Sequence, residues 1–341
     1  MPAYHDSGFV VRQPAWHGLS TVLETAPKSW AEARTLGGLD WEPEERPLYR
    51  LADNRTSSAD IALPDGRFMV AVTESKAMVR SDTGEELGVV GKDYTPVLNA
   101  TMGELLEAFV GEEGCTYETA GSAMGGKLVY ATVLLDEPFK VTGDDSLTYT
   151  MACILNGHDG NTSTKVLPLD FRVVCANTFN AASMLGDRTG LQYTFRHTGT
   201  ITERLEGVRG ALANMRAEGL KYRQVCEQLA GIQLDAATID EVIDRFVGMP
   251  RPGEASDKVI ENATAAAAQI KGVLSGPTTA EAHRTSAYGA LQAMGEYLDH
   301  LRTYKNTDTY VRRTLFTPEK GKGVALKTLT KVAGIDLALG A

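Results

Sequence analysis

The apolar residues change period once along the chain, and that change restricts the fold more than any other feature. Between Phe68 and His197 they alternate or fall in short β-branched runs: FMVAVT, KAMVR, LGVVG, TYETA, KLVYATVLL, LTYTMACIL, STKVL, DFRVV and LQYTFRH. A period of two marks strands with one face turned to a core. From Thr202 onward Leu205, Val208, Leu212, Met215 and later Val225 and Leu229 recur at three- and four-residue steps, the spacing of a helix with one buried stripe. Strands gathered first and helices afterwards specify an α+β chain. The expected architecture is a largely antiparallel central sheet with packed helices, followed by a helical C-terminal region.

Turn and cap residues divide these segments. Ser81-Asp82-Thr83-Gly84 and Gly125-Gly126 read as turns, and Asn156-Gly157-His158-Asp159-Gly160 as a loop between strands. Ser-x-x-Glu and Thr-x-x-Glu boxes at Ser29, Thr101 and Thr278 satisfy free amides at helix starts. The spacing predicts a short helix around NTFNAASML and longer ones near 238–248, 255–274 and 279–304, punctuated by Pro250, Pro252 and Pro277. Residues 1 to about 50 read as irregular except for one helix that Gly37-Gly38 ends, laid against the molecule by Trp16, Trp30 and Trp41. The chain thus divides into an N-terminal arm (1–55), an α+β core carrying the binding surface (56–205) and a helical region (206–341).

Composition removes several classes of function. Apolar residues make up 43% and charged residues 23% of the 341, so a folded chain is expected nearly throughout. There is no basic leader followed by an apolar run, and no apolar stretch approaches the roughly 20 residues of a membrane span; no membrane association is expected. Cys115, Cys153, Cys175 and Cys226 lack C-x-x-C spacing, which suits reduced thiols in a cytoplasmic protein of the host cell. His17, His158 and His197 lack a metal-ligand spacing, no G-x-S-x-G elbow supplies a nucleophile, and GKGVALKT misses the phosphate-loop spacing. No metal, no cofactor and no enzymatic activity are therefore expected.

The net charge of −10 argues against a protein that coats duplex DNA by bulk electrostatics, yet the charge is uneven. Residues 101–149 are acidic, 160–225 lean basic, and the segment from Arg302 to Lys331 is basic. Lys165, Arg172, Arg196, His197, Arg204 and Arg209 punctuate strands that also bear Tyr149, Tyr193 and Phe195. Cations for phosphates and aromatic faces for bases are what a single-strand binder needs.

Several stretches carry a family resemblance: AWHGLSTVLETAP, LDWEPEERPLY, RSDTGEELGVVGKDYTPVLN, ETAGSAMGGKLVYATVLL, NGHDGNTSTKV, FRVVCANTFNAA, FRHTGTITERL and AYGALQAMGEYLDHLR. In that order they resemble an uncharacterised phage- and plasmid-borne family common in actinobacteriophages, which implies a mobile-element gene and transfers no catalytic residue. The order of elements over 68–205 is similar, at fold level, to phage single-strand annealing proteins of the RecT, Red-beta and Erf kind. That similarity implies homo-oligomeric rings or filaments that hold single-stranded DNA in a basic groove beside a β-hairpin, in company with a phage or host replication or recombination protein. The expected contacts are Lys127 on the hairpin with Lys165, Arg172, Arg196, Arg204 and Arg209, flanked by Lys92, Tyr94 and Tyr130. The alternative is a phage protein-interaction module, such as an inhibitor of a host defence protein, that binds no nucleic acid.

Overall fold

The computed structural model describes residues 5–11, 21–58, 60–110, 116–135, 137–172, 177–179, 193–195, 215, 217, 219–251, 253–305, 309 and 321–337. In chain order the first elements are β1 (His5–Val11), β2 (Thr21–Leu23), α1 (Trp30–Leu36), β3 (Pro43–Ala52), β4 (Ile61–Ala62), β5 (Phe68–Arg80), β6 (Glu86–Gly91) and α2 (Asn99–Val110). The strands β7 (Tyr117–Ala123), β8 (Leu128–Leu134), β9 (Thr148–Gly157), β10 (Thr164–Arg172), β11 (Asn177–Phe179) and β12 (Tyr193–Phe195) follow.

The alternating runs from Tyr117 onward form the expected antiparallel sheet, as a meander in which β7, β8, β9 and β10 pair in sequence order. They sit in an eight-stranded sheet of order β11-β10-β9-β8-β7-β1-β2, with β12 also on β10. STKVL and DFRVV, expected as two strands, supply one. Pro168 lies in its middle opposite Ala152. On the other edge of β10, β12 pairs with residues 164–166 and β11 with 170–172. Pro168 thus falls between the two, where no amide is needed for a ladder among the described residues.

The N-terminal arm requires correction. Residues 5–11 are not irregular: β1 pairs antiparallel with β7, Phe9 opposite Ala120, and parallel with β2. Phe9, Val10 and Val11 are buried there, and desolvating three adjacent apolar side chains outweighs the weak strand propensity of Ser7-Gly8.

A smaller sheet of order β3-β5-β4, with β6 on β5, packs beside this one. FMVAVT and KAMVR join into the single long β5. Its register against β3 jumps from Lys76↔Pro47 to Val72↔Leu48, leaving Thr73, Glu74 and Ser75 without a β3 partner. The part of β5 before this bulge carries the outer sheet surface. The part after it delivers Met78 to a core shared with Trp30, Trp41, Leu87, Met102, Tyr117, Val129 and Ile154.

The C-terminal region is helical, as its period specifies. Residues 219–230 are helical, followed by α3 (Ala236–Val247), α4 (Asp257–Ser275), α5 (Ala287–Glu296), a π-helical turn (Tyr297–Leu301) and α6 (Lys322–Ala333). Asp235 caps α3 by accepting from Thr238 N at 2.7 Å. The helix expected over 279–304 is in pieces, because a 3₁₀ turn at Glu281–His283 comes first and Ser286, not Thr278, caps α5 through Gly289 N at 3.0 Å. These helices enclose a second core of Tyr222, Leu229, Val242, Ile270, Tyr288, Leu291 and Leu326. No helix among the described residues is long and apolar enough to cross a membrane.

Candidate nucleic-acid interface

The turn between β7 and β8 is built from three successive residues with positive φ: Met124 (61°), Gly125 (71°) and Gly126 (83°). Gly126 is required for two reasons. Its φ disfavours a side chain, and a Cβ there would stand 2.9 Å from the Trp41 ring and 3.0 Å from Arg80 Nη1. Its amide donates to Asp6 Oδ2 at 2.9 Å. Beneath it, the Arg80 guanidinium lies 4.3 Å over the Trp41 ring and is held by both oxygens of Asp82 at 3.0 and 2.8 Å. The tip that carries Lys127 is therefore clamped from β1, β5 and the segment before β3.

A buried polar chain fixes the adjoining strand ends. His158 N donates to Lys127 O at 2.8 Å, and its Nε2 meets Asn99 Oδ1 at 3.0 Å. Asn99 Nδ2 donates to Trp41 O at 2.7 Å, while Asn99 O accepts from Trp30 Nε1 at 2.8 Å. Asn156 donates to Val97 O and accepts from Thr164 Oγ1 at 2.6 Å. Glu42 completes the chain by accepting the first amides of α2, from Asn99 at 2.6 Å and Ala100 at 2.9 Å. Burial pushes the Glu42 carboxyl above its usual value, and these backbone bonds oppose the rise. The Asn-Gly-His-Asp-Gly loop was legible as a loop. That its histidine is fully buried was not, since the partners Asn99 and Trp41 are distant in sequence.

At this end of the sheet the structure places four of the expected residues, with Lys165 on the face of Leu155 and Tyr130, and Tyr94 against the core on the other face. Lys127 is the last residue of the hairpin turn, directly before β8. Tyr94 donates its hydroxyl to Gly157 O at 3.2 Å, which sets its ring beside the same strand end. Lys165 stands on β10 opposite Leu155, itself opposite Tyr130. Two strand steps and three residues separate Lys165 from Lys127, roughly 14 Å between backbone positions. Lys92 is close in sequence to Tyr94, with its ammonium 2.7 Å from Glu74, a pair more than half exposed on both sides. Among the described residues no carboxylate lies within ion-pair distance of Lys127.

Two expected contacts are corrected. Arg172 is seven residues from Lys165 on one strand, an odd number, so it points from the opposite sheet face at the opposite end. Its side chain is 3% exposed, bound to Asp144 Oδ2 at 2.6 Å and to Thr278 O at 3.1 Å, and it cannot reach a phosphate from there. Tyr130 is 4% exposed among Leu128, Cys153, Leu155 and Leu167, so no base can stack on it in this arrangement. Arg196, Arg204 and Arg209 lie outside the described residues. Of the cysteines, Cys153 and Cys226 are free and buried, and burial pushes the Cys153 thiol up to about 12, away from nucleophile chemistry. What the arrangement offers is a rigid, partly cationic rim suited to binding.

Comparison with known proteins gives one match: a family model described as a domain of unknown function, DUF932, covers residues 86–315. That range takes in β6 to β12, the hairpin and most of the C-terminal helices, more than half of the chain. No curated protein and no solved structure matches.

Proposed function

The chain belongs to the DUF932 family, a domain of unknown function, and from that premise we propose that it binds single-stranded nucleic acid at the hairpin end of the eight-stranded sheet. The observation that carries this reading is the placing of Lys127 and Tyr94 beside Gly157 on a base held by buried hydrogen bonds, with Lys165 at the same end of the sheet on its other face, so that a strand crossing the sheet end meets all three. Lysines give phosphate contacts that are independent of base identity, and one tyrosine face can stack a base at about 1–3 kcal/mol. Lys92 adds a further contact when it exchanges Glu74 for a phosphate. Arg196, Arg204 and Arg209 extend the contact set beyond the described residues. In this reading the protein is no enzyme: it holds a strand so that a complement can pair with it, as a homo-oligomer in a phage- or plasmid-borne recombination system inside the host cytoplasm.

Fluorescence anisotropy with labelled oligothymidylate, across a salt series and without nucleotide, tests the reading. Three lysine contacts give a slope of log K against log salt of about −2, since each ammonium contributes roughly 0.7 on single strands. Lys127→Glu with Lys165→Glu should flatten that slope by about 1.4, and complementary oligonucleotides should pair faster with the wild type than alone. Binding that ignores the double substitution, or no binding at any salt, overturns the proposal.

A second reading is favoured by a different surface. Leu51, Met69 and Ile61 form one cross-strand row on β3, β5 and β4, with Tyr49 next to it. Tyr49, Leu51 and Ile61 are 45%, 54% and 47% exposed. A clustered apolar sheet face of this kind suits a protein-interaction module. It gains ground if the folded protein leaves every oligonucleotide unshifted.

A further inference from the structure

The free edge of the small sheet is guarded over only part of its length. β3 pairs with β5 on one side, and among the described residues no strand takes the other. Over residues 43–47, Pro43 and Pro47 withhold two amides, and Glu44, Glu45 and Arg46 supply charge. Proline and charge are the common means by which a sheet edge is kept from pairing. Residues 48–52, Leu-Tyr-Arg-Leu-Ala, contain neither a proline nor a carboxylate. An unpaired edge presents N–H and C=O groups to solvent, and these are what an added strand needs.

The side chains of this open stretch alternate in chemistry as they alternate in face. Tyr49 and Leu51 lie on the face of Met69 and Ile61, and Arg50 between them lies on the other. All three are exposed. The neighbouring cations are committed: Arg46 to Glu44, Lys76 to Glu45 and Arg67 to Asp65. Arg50 has no carboxylate partner among the described residues. An incoming strand is therefore offered two apolar positions on one face and one uncompensated guanidinium on the other.

We propose that residues 48–52 of β3 bind an extended peptide as an added strand, with an acidic residue facing Arg50 between two apolar residues facing Tyr49 and Leu51. Opposite charges directly across a strand pair stabilise it, and like charges destabilise it. That rule also disfavours a second copy of β3. Antiparallel self-pairing centred in the open half sets Arg50 against itself or against Arg46, or sets Glu45 against Asp53 and Leu51 against the amide-less Pro47, or pairs only the last residues. The peptide site does not depend on what the hairpin end binds.

Fluorescence anisotropy of the full-length protein tests it with a labelled, end-capped peptide, Thr-Thr-Val-Glu-Val-Thr-Thr. The controls are its Glu-to-Lys version and a version N-methylated at the three central residues. The glutamate peptide should bind about fivefold more tightly than the lysine peptide, and Arg50→Glu should reverse that order, which a loss of fold would not do. The N-methylated peptide, unable to donate to the edge, should not bind. Amide exchange at residues 48–52 should slow only when peptide is present. Oligothymidylate binding on the same samples should be unchanged by the peptide, so this proposal and the nucleic-acid reading fail separately. The proposal is overturned if the glutamate peptide fails to bind, binds no better than the lysine or N-methylated peptide, or keeps its preference in Arg50→Glu. Slow exchange at residues 48–52 in a peptide-free protein that sediments as a dimer would overturn it in favour of a second copy.

Discussion

Arg172 shows how far a single residue can be read. As a cation on a strand it was a natural phosphate contact. In the folded protein its guanidinium serves Asp144, the Thr278 carbonyl and the face of Tyr288, whose hydroxyl also donates to Asp144 at 3.2 Å. Burial alone would raise the Asp144 carboxyl; the Arg172 charge and the Ser146 hydrogen bonds outweigh it and hold the group below its ordinary value of 3.8. A depressed carboxylate stabilises the fold at every pH above its unfolded value and loses that contribution as the pH falls through the folded one. Asp144→Asn should therefore cost about 3–5 kcal/mol at neutral pH, because it leaves a buried guanidinium without its counter-charge. The gap from wild type should close below about pH 4 in urea titrations. Asp144→Leu combined with Arg172→Met should recover most of the loss, and an equal loss in the double variant would show that packing, not charge, decides the site. Part of this was legible. The odd spacing of Lys165 and Arg172 already separates their faces, provided that both are placed on one strand, and Pro168 suggested otherwise.

At the scale of elements, the crossing of α1 and α2 illustrates what periodicity leaves out. Thr101-Met102-Gly103-Glu104 reads as a capping box, yet α2 begins at Asn99 and its first amides are satisfied by Glu42. A cap supplied from 57 residues away has no local pattern to betray it. Gly103, which looks like a weak point in a helix, is where the Trp30 indole packs: a Cβ there would fall inside the ring. Gly103→Ala gains up to about 1 kcal/mol of helix propensity and loses more to the clash, so thermal unfolding should show a net destabilisation of about 1–3 kcal/mol. A variant as stable as wild type would mean that α1 does not rest on α2. The meander β7 to β10 was legible because each strand pairs with the next. β1 was not, since its partner β7 begins more than a hundred residues later and only that pairing explains the burial of Phe9.

Across the whole molecule the main sheet is tied to the helical core through the Arg172–Asp144 pair and through Phe139, which bridges to Thr148 of β9 and packs within the helical core against Tyr222, ring centres 6.5 Å apart. Such a junction should make the halves unfold together. Tryptophan fluorescence, reporting Trp30 and Trp41 in the sheet core, and far-ultraviolet dichroism, dominated by the helices, should give coincident urea transitions for the wild type. The two should separate in Asp144→Asn, and separate transitions in the wild type would show that the junction does not couple the halves. Elsewhere the constraint is one of symmetry. At residue 126 the backbone takes the mirror-image half of conformational space while the Trp41 ring and Arg80 close off the volume beyond it. An L side chain fails on both counts at once, so the hairpin tip is reserved for the one achiral building block.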